Sequence, residues 1–204
     1  NIVIFILESF SSEHSALLNP DLYPDGHGYT PFLDSLMREG YYFQNAFANG
    51  HKSIEALPSV LSSIPSYRTP FVLMPQALAP MKALPALLAE KGYKTSFFNG
   101  SGRGSMGFGA YAAQAGVQDY YSREDYEKRC GTDGYWGIWD EPFLQYMSRV
   151  LSEMPQPFFA SAFTLSSHHP FVVPEKYAAT LPEGKTKVHK GVAYTDLALR
   201  RFME

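Results

Sequence analysis

The sequence predicts an α/β fold, a mostly parallel sheet with helices on both faces. The run at 2–7 ("IVIFIL") is apolar, β-branched or aromatic and continuous rather than alternating, as a strand covered on both faces is, and further strands are expected at 94–99 ("KTSFFN") and 157–166 ("PFFASAFTLS"). Helical patterns with clear starts and stops lie between them. Strands that alternate with helices build parallel sheets, and such sheets collect their catalytic groups at the carboxyl ends of the strands.

Taken in order, "NIVIFIL" at 1–7 reads as a central strand. "TPFLDSLMREG" (30–40) reads as a helix with Thr30 as N-cap, Pro31 at the first helical position and Gly40 as the stop. "YYFQNAFA" (41–48) is expected to be a second strand. The segment "IEALPSVLSSIPS" after Ser53 is helical, but Pro58 removes a backbone donor, so the regular helix is expected to begin nearer Leu57. "MKALPALLAEKG" (81–92) forms the next helix and stops at Gly92. The Gly/Ser stretch "NGSGRGSMGFG" (99–109) is the one flexible-looking loop and follows a strand. "EPFLQYMSRVLSEM" (141–154) is a helix with Asp140 as its N-cap, and "HKGVAYTDLALRRFME" closes the chain as another.

At 204 residues, 45% apolar and 18% charged, the chain can bury a real core, so disorder is excluded. A net charge of −3 and the lack of any basic run argue against nucleic acid as a partner. Cys130 is the single cysteine, which rules out an internal disulfide and leaves the compartment open. The run at 2–7 is far short of the roughly 20 residues of a spanning helix, and it lacks the flanks of a signal peptide. Because the sequence starts without Met inside a strand pattern and ends inside a helical one, residues 1–204 are expected to be one part of a longer polypeptide.

Three polar residues follow three expected strands. Glu8 ends the first, Ser53 follows the second in "GHKSI", and His168 follows the fourth in "TLSSHHPF". Glu8 is either a solvated strand end or a ligand. Ser53 is either a helix cap or a nucleophile favoured by the positive helix end, by Lys52 and by a metal ion. A histidine such as His168 can bind metal when neutral or hold a phosphoryl oxygen when protonated. His169, its neighbour, must face another way. Trp136, Trp139 and Asp140 in "YWGIWDEPF" are read as packing plus a helix cap.

Together "NIVIFILESFSSEHS", "TPFLDSLMREGYYFQNAFANG", "SIEALPSVLSSIPS" and "FTLSSHHPF" resemble the sulfatase-like branch of the alkaline phosphatase superfamily. Within it the chain is similar to the lipoteichoic acid synthase group of phosphoglycerol transferases, with phosphoethanolamine transferases as cousins. The resemblance implies that residues 1–204 are the N-terminal part of a sulfatase-like catalytic domain. It implies Glu8 as a metal ligand, Ser53 as both nucleophile and metal ligand, His168 as the phosphate-contacting residue, and a divalent ion, Mn²⁺ or Zn²⁺. It further implies a covalent phosphoserine and transfer of a phosphoglycerol- or phosphoethanolamine-type group from a phospholipid donor to an envelope glycan or lipid acceptor. Attack by water instead would make a phosphodiesterase or phosphatase, and a non-catalytic binding domain is the third alternative.

The family's Asp-His pair of metal ligands is expected after residue 204, so the chain taken alone is expected to be inactive. Membrane-spanning segments are expected outside it, with the catalytic domain on the periplasmic or extracellular side of the inner or cytoplasmic membrane. The absence of a C/S-x-P-x-R motif disfavours sulfate esters, and the "GSGRGSMGFGAY" loop holds no Trp to pair with Arg103 around glycerol phosphate.

Overall fold

In the computed structural model, residues 1–126 and 131–204 are described; Cys130 lies outside the described residues. Strands β1 (Ile2–Ile6), β2 (Lys94–Asn99), β3 (Asp119–Tyr121) and β4 (Phe158–Phe163) form one sheet in the order β1-β4-β2-β3, parallel throughout. The helices are α1 (Pro31–Glu39), α2 (Ser53–Ser62), α3 (Leu84–Ala89), α4 (Phe108–Gln114), α5 (Asp140–Glu153), α6 (Glu175–Ala178) and α7 (Lys187–Met203). The fold is therefore α/β with a parallel sheet, as the alternation of patterns predicts.

The described residues divide into two compact units. One holds 1–6, 47–126 and 150–163, and the other 7–46, 131–149 and 164–204. The whole sheet lies in the first. There β4 pairs with β1 from Ile2↔Phe159 to Ile6↔Phe163 and with β2 from Lys94↔Phe158 to Asn99↔Phe163. β4 is buried at all six positions and β2 at its last five, and the polar side chains Thr95, Ser96, Asn99 and Ser161 are buried with them.

The core of this unit joins Leu57 and Leu61 of α2, Phe97 of β2, Phe108, Tyr111 and Ala112 of α4, and Phe159 and Phe163 of β4. Phe97 meets Phe108 edge-on at 6.1 Å and stacks on Tyr120 at 5.3 Å. After α4 the chain turns through Gly116 at φ +88, where a Cβ would sit 2.6 Å from the Ala86 side chain. Only glycine fits that turn.

The second unit is built around α7. Val192, Tyr194, Ala198 and Leu199 of α7 are buried, as are Phe143, Leu144 and Met147 of α5. Trp139 and Tyr177 both pack on the Tyr194 ring, at 5.8 and 5.6 Å. Glu141 accepts hydrogen bonds from Lys176 Nζ (2.9 Å), from Tyr177 Oη (2.8 Å) and from Arg201.

Several local expectations are corrected. Among the described residues β1 stands at one end of the sheet order, paired with β4, and Ile2 and Val3 are exposed, where the apolar run reads as a central strand. An apolar run encodes a wish for burial; it does not encode how many neighbours pair with it. Residues 41–48 form no strand, and Tyr41, Phe43 and Phe47 are exposed. Aromatic β-propensity makes a strand only where a partner takes up the backbone groups.

The expected loop at 99–109 contains a short 3₁₀ turn and the start of α4, and β3 follows it. Both are brief and Ala/Gly-rich or three residues long, too short for periodicity to register.

Thr30 precedes α1 but its hydroxyl does not cap it. It donates instead to Asp34 Oδ1 (3.1 Å). The amides of Phe32 and Leu33 donate to the carboxylate of Asp196 on α7, at 2.9 and 3.0 Å. A side chain 164 residues away in sequence does what a local cap does elsewhere. Burial pushes the Asp196 carboxyl up to about 6, against the pull of those two amides.

Truncating Phe97 or Phe159, both fully buried, is expected to cost ~3–5 kcal/mol in denaturant unfolding, whereas Phe43→Ala costs under about 0.5. For Asp196 the folded state holds its proton more tightly than the unfolded chain, whose carboxyl titrates near 3.8. Its contribution is therefore greatest below that value and is lost as pH rises through about 6. Between those limits wild type should lose on the order of 3 kcal/mol more stability than Asp196→Asn, read from unfolding curves at stepped pH.

Candidate active site

Just past β1, the Glu8 amide donates to Thr164 Oγ1 (2.9 Å), and the Ser167 hydroxyl donates to the Glu8 carbonyl (2.5 Å). The segment behind β1 and the segment behind β4 are thus stitched together by two bonds. Ser9 Oγ donates to Glu8 Oε1 (2.9 Å), and Ser9 sits at φ +57, a left-handed conformation uncommon for serine.

Beneath this segment lies Asp140. Its carboxylate accepts the amides of Leu165 (2.8 Å) and Ser166 (3.1 Å) and the Thr195 hydroxyl (2.7 Å), while its own amide donates to Ser166 Oγ (2.8 Å). Asp140 is thus the first residue of α5 and anchors the Thr164–Ser167 turn, a larger role than the helix cap read from sequence. Its burial pushes the carboxyl up, opposed by the Thr195, Leu165 and Ser166 donors.

The turn leads directly into His168. Its Nδ1 lies 2.9 Å from the His169 carbonyl oxygen, which also accepts Trp136 Nε1–H at 2.6 Å. A carbonyl only accepts, so Nδ1 carries the proton and the neutral ring has its lone pair on Nε2. The Trp136 ring packs against the imidazole with centroids 4.2 Å apart, tilted by 56°. His169 is exposed and meets Phe171 edge-on at 5.6 Å.

Ser53 belongs to the other unit, where it is the first residue of α2. Lys52, with extended φ/ψ, holds the cap position, so Ser53 is not the N-cap. The helix also starts at Ser53 rather than near Leu57. Pro58 removes a single intrahelical donor, and the Ser59 hydroxyl bonds the Glu55 carbonyl (2.9 Å) in the same turn.

Glu55 reaches back to the amides of His51 (2.9 Å) and Lys52 (3.1 Å) and accepts the Ser66 hydroxyl (2.8 Å). Those bonds, Ser66 first and His51 next, hold its carboxyl below the usual range. A Cβ on Gly50 would lie 2.6 Å from Glu55 Oε2. "GHKS" is thus a turn folded around one carboxylate, with Gly50 making room for it.

Arg103 is committed elsewhere. It pairs with both oxygens of Asp125 (2.7 and 2.6 Å) and lies over the Tyr120 ring at 5.6 Å. Among the described residues no three His, Cys, Asp or Glu side chains converge as a metal centre. No helix of the described residues is long and apolar enough to cross a membrane.

The sequence offers Glu8, Ser53 and His168 as candidates; it does not show Thr164, Ser167 and Glu55 as the side chains that tie down the backbone beside them. The polar "TLSS" run behind a strand and the "S-x-E" spacing at the helix start were the available signals.

The class this parallel α/β fold matches is the alkaline phosphatase superfamily. A superfamily protein from Vibrio parahaemolyticus superposes with a TM-score of 0.87 at 26% identity, over 100% of this chain and 49% of the other. More particularly, the chain belongs to the Sulfatase family, whose model matches residues 1–204. It is similar to the lipoteichoic acid synthase LtaP from Listeria monocytogenes, with a TM-score of 0.85 and 25% identity over 100% of this chain and 51% of that one. Lipoteichoic acid synthase 2 of Bacillus subtilis (strain 168) is 27% identical over 179 residues, 86% of this chain. The chain spans about half the length of those solved chains and 27% of that curated relative.

The tautomer is directly checkable. In the neutral ring, ¹⁵N spectra of His168 should show a protonated Nδ1 and an unprotonated Nε2; the reverse assignment would contradict the shared His169 carbonyl.

Proposed function

We propose that the polypeptide containing this chain is a phosphoryl-group transferase of the lipoteichoic acid synthase kind, acting through a covalent phosphoserine at Ser53. The observation that carries the reading is the position of Ser53 at the first residue of the ten-residue helix α2. There the partial positive charge of the helix end favours an anionic phosphoryl group on the hydroxyl oxygen. The family match over residues 1–204 supports it.

In this reading the Ser53 Oγ–P bond forms as the bond from phosphorus to the donor's lipid alcohol breaks, and that alcohol leaves with the proton. An acceptor hydroxyl on an envelope glycan or lipid then attacks phosphorus. The Oγ–P bond breaks, and the serine recovers a proton. His168 holds a phosphoryl oxygen; with Nδ1 bound to the His169 carbonyl, the imidazolium form donates from Nε2.

The group moved is of phosphoglycerol or phosphoethanolamine type. The resemblance brings a divalent ion, Mn²⁺ or Zn²⁺, with Glu8 and Ser53 among its donors. The resemblance adds an Asp-His pair as further donors and membrane-anchoring segments that keep this domain on the outer side. Residues 1–204 are in this view the N-terminal part of one catalytic domain.

Ser53→Ala in the intact polypeptide should lower transfer by ~10³-fold or more with the thermal unfolding midpoint unchanged. A phosphorylated Ser53 peptide should be trapped from wild type by acid quench. Turnover that survives the substitution would remove Ser53 from the mechanism. Release of free head group in place of a transferred ester would make water the acceptor.

A further inference from the structure

The segment from Gly131 to Trp139 is a small hairpin that takes no part in the chemistry above, yet its tip lies against His168. One carboxylate organises it. Asp133 Oδ1 accepts the amides of Tyr135 (2.8 Å), Trp136 (2.8 Å) and Gly137 (2.9 Å). The Asp133 amide donates to the Gly137 carbonyl (2.8 Å), the Trp139 amide donates to Gly131 (2.7 Å), and Thr132 bridges Ile138 antiparallel. Gly137 and Ile138 are buried and seat the hairpin, while Tyr135 is 67% and Trp136 37% exposed.

Trp136 is held at both ends. Its amide is bound to Asp133, and its indole Nε1–H is bound to the His169 carbonyl at 2.6 Å. One part of the ring packs against the His168 imidazole, centroids 4.2 Å apart, and more than a third of the residue remains open to solvent. A large aromatic ring that is fixed in place, partly wet and adjacent to a phosphoryl-binding side chain is not explained by core packing. Such a ring offers an apolar face to C–H groups and an electron-rich face to cations.

We propose that Trp136 is a specificity-determining residue, selecting phosphate esters of short alcohols over inorganic phosphate by giving the alcohol part a surface beside His168. This rests on the reading of His168 as the group that holds a phosphoryl oxygen. A phosphoryl oxygen on the imidazole leaves the ester's two- or three-carbon chain within reach of the indole. A neutral polyol such as glycerol lies on the ring through its C–H groups, and ethanolamine places its ammonium over it. Inorganic phosphate has nothing to put there.

The role differs measurably from mere support of the imidazole. A support would strengthen phosphate and ester alike, whereas a specificity element changes their ratio.

The test is calorimetric titration of the intact polypeptide, as wild type, Trp136→Ala and Trp136→Phe, with inorganic phosphate, glycerol phosphate and phosphoethanolamine. Wild type should bind at least one ester about tenfold more tightly than inorganic phosphate. Trp136→Ala should bring that ratio close to one with its unfolding midpoint held within a few degrees, and Trp136→Phe should keep part of it. Which ester is preferred tells a polyol surface from a cation surface. The proposal is overturned if wild type shows no preference or no binding, or if Trp136→Ala weakens phosphate and esters by the same factor. Trp136→Phe decides the matter should the alanine variant unfold.

Turnover of the Ser53→Ala protein is measured alongside. Persistence of turnover with a collapsed ester ratio in Trp136→Ala sinks the nucleophile reading alone. Loss of turnover with an unchanged ratio sinks the specificity role alone.

Discussion

A carboxylate taken out of water must find donors, and the buried Asp140 finds three: the Leu165 and Ser166 amides and the Thr195 hydroxyl. Everything carried on the turn behind β4 depends on that. With Leu165 and Ser166 fixed, Thr164 presents its hydroxyl to the Glu8 amide and Ser167 reaches the Glu8 carbonyl. His168 then emerges from a turn whose backbone has little freedom left. Removing the carboxylate would orphan two buried amides at once, a cost far above that of a surface hydrogen bond.

The same device recurs through the molecule. Asp196 takes the first amides of α1, Glu55 takes those of His51 and Lys52 ahead of Ser53, and Asp133 takes three in the hairpin that carries Trp136. Each is an acceptor for backbone groups that helix ends and tight turns leave without partners. A phosphoryl-handling site needs side chains held to a few tenths of an ångström, and loops reach that precision only when their backbone is tied down. Asp140, Asp196, Glu55 and Asp133 all serve in this way as acceptors for backbone amides.

Legibility followed the range of the interactions. The runs at 94–99 and 157–166 became β2 and β4, where Phe97, Phe98, Phe158, Phe159 and Phe163 are buried on paired strands. The run at 41–48 has the same aromatic character and forms no strand, since pairing depends on a neighbour and not on the segment. Thr30 and Asp140 both looked like local caps. For Thr30 the capping group comes from Asp196 on α7, and Asp140 turned out to bind a segment 25 residues downstream. Trp136 read as packing, because nothing local says which imidazole its ring will meet.

The sequence by itself determined the α/β class, the parallel sheet, the family and the polar positions Glu8 and His168 behind strands, because strand patterns and motif order are properties of the chain; Ser53, expected behind a strand at 41–48, follows none. Only the tertiary structure decided that β4 lies between β1 and β2, that Ser53 opens α2 behind a Lys52 cap, and which tautomer His168 adopts. Those outcomes turn on which distant group supplies a hydrogen-bond partner or a covering surface. A buried donor accepts any partner of suitable geometry, so local sequence does not specify which one arrives.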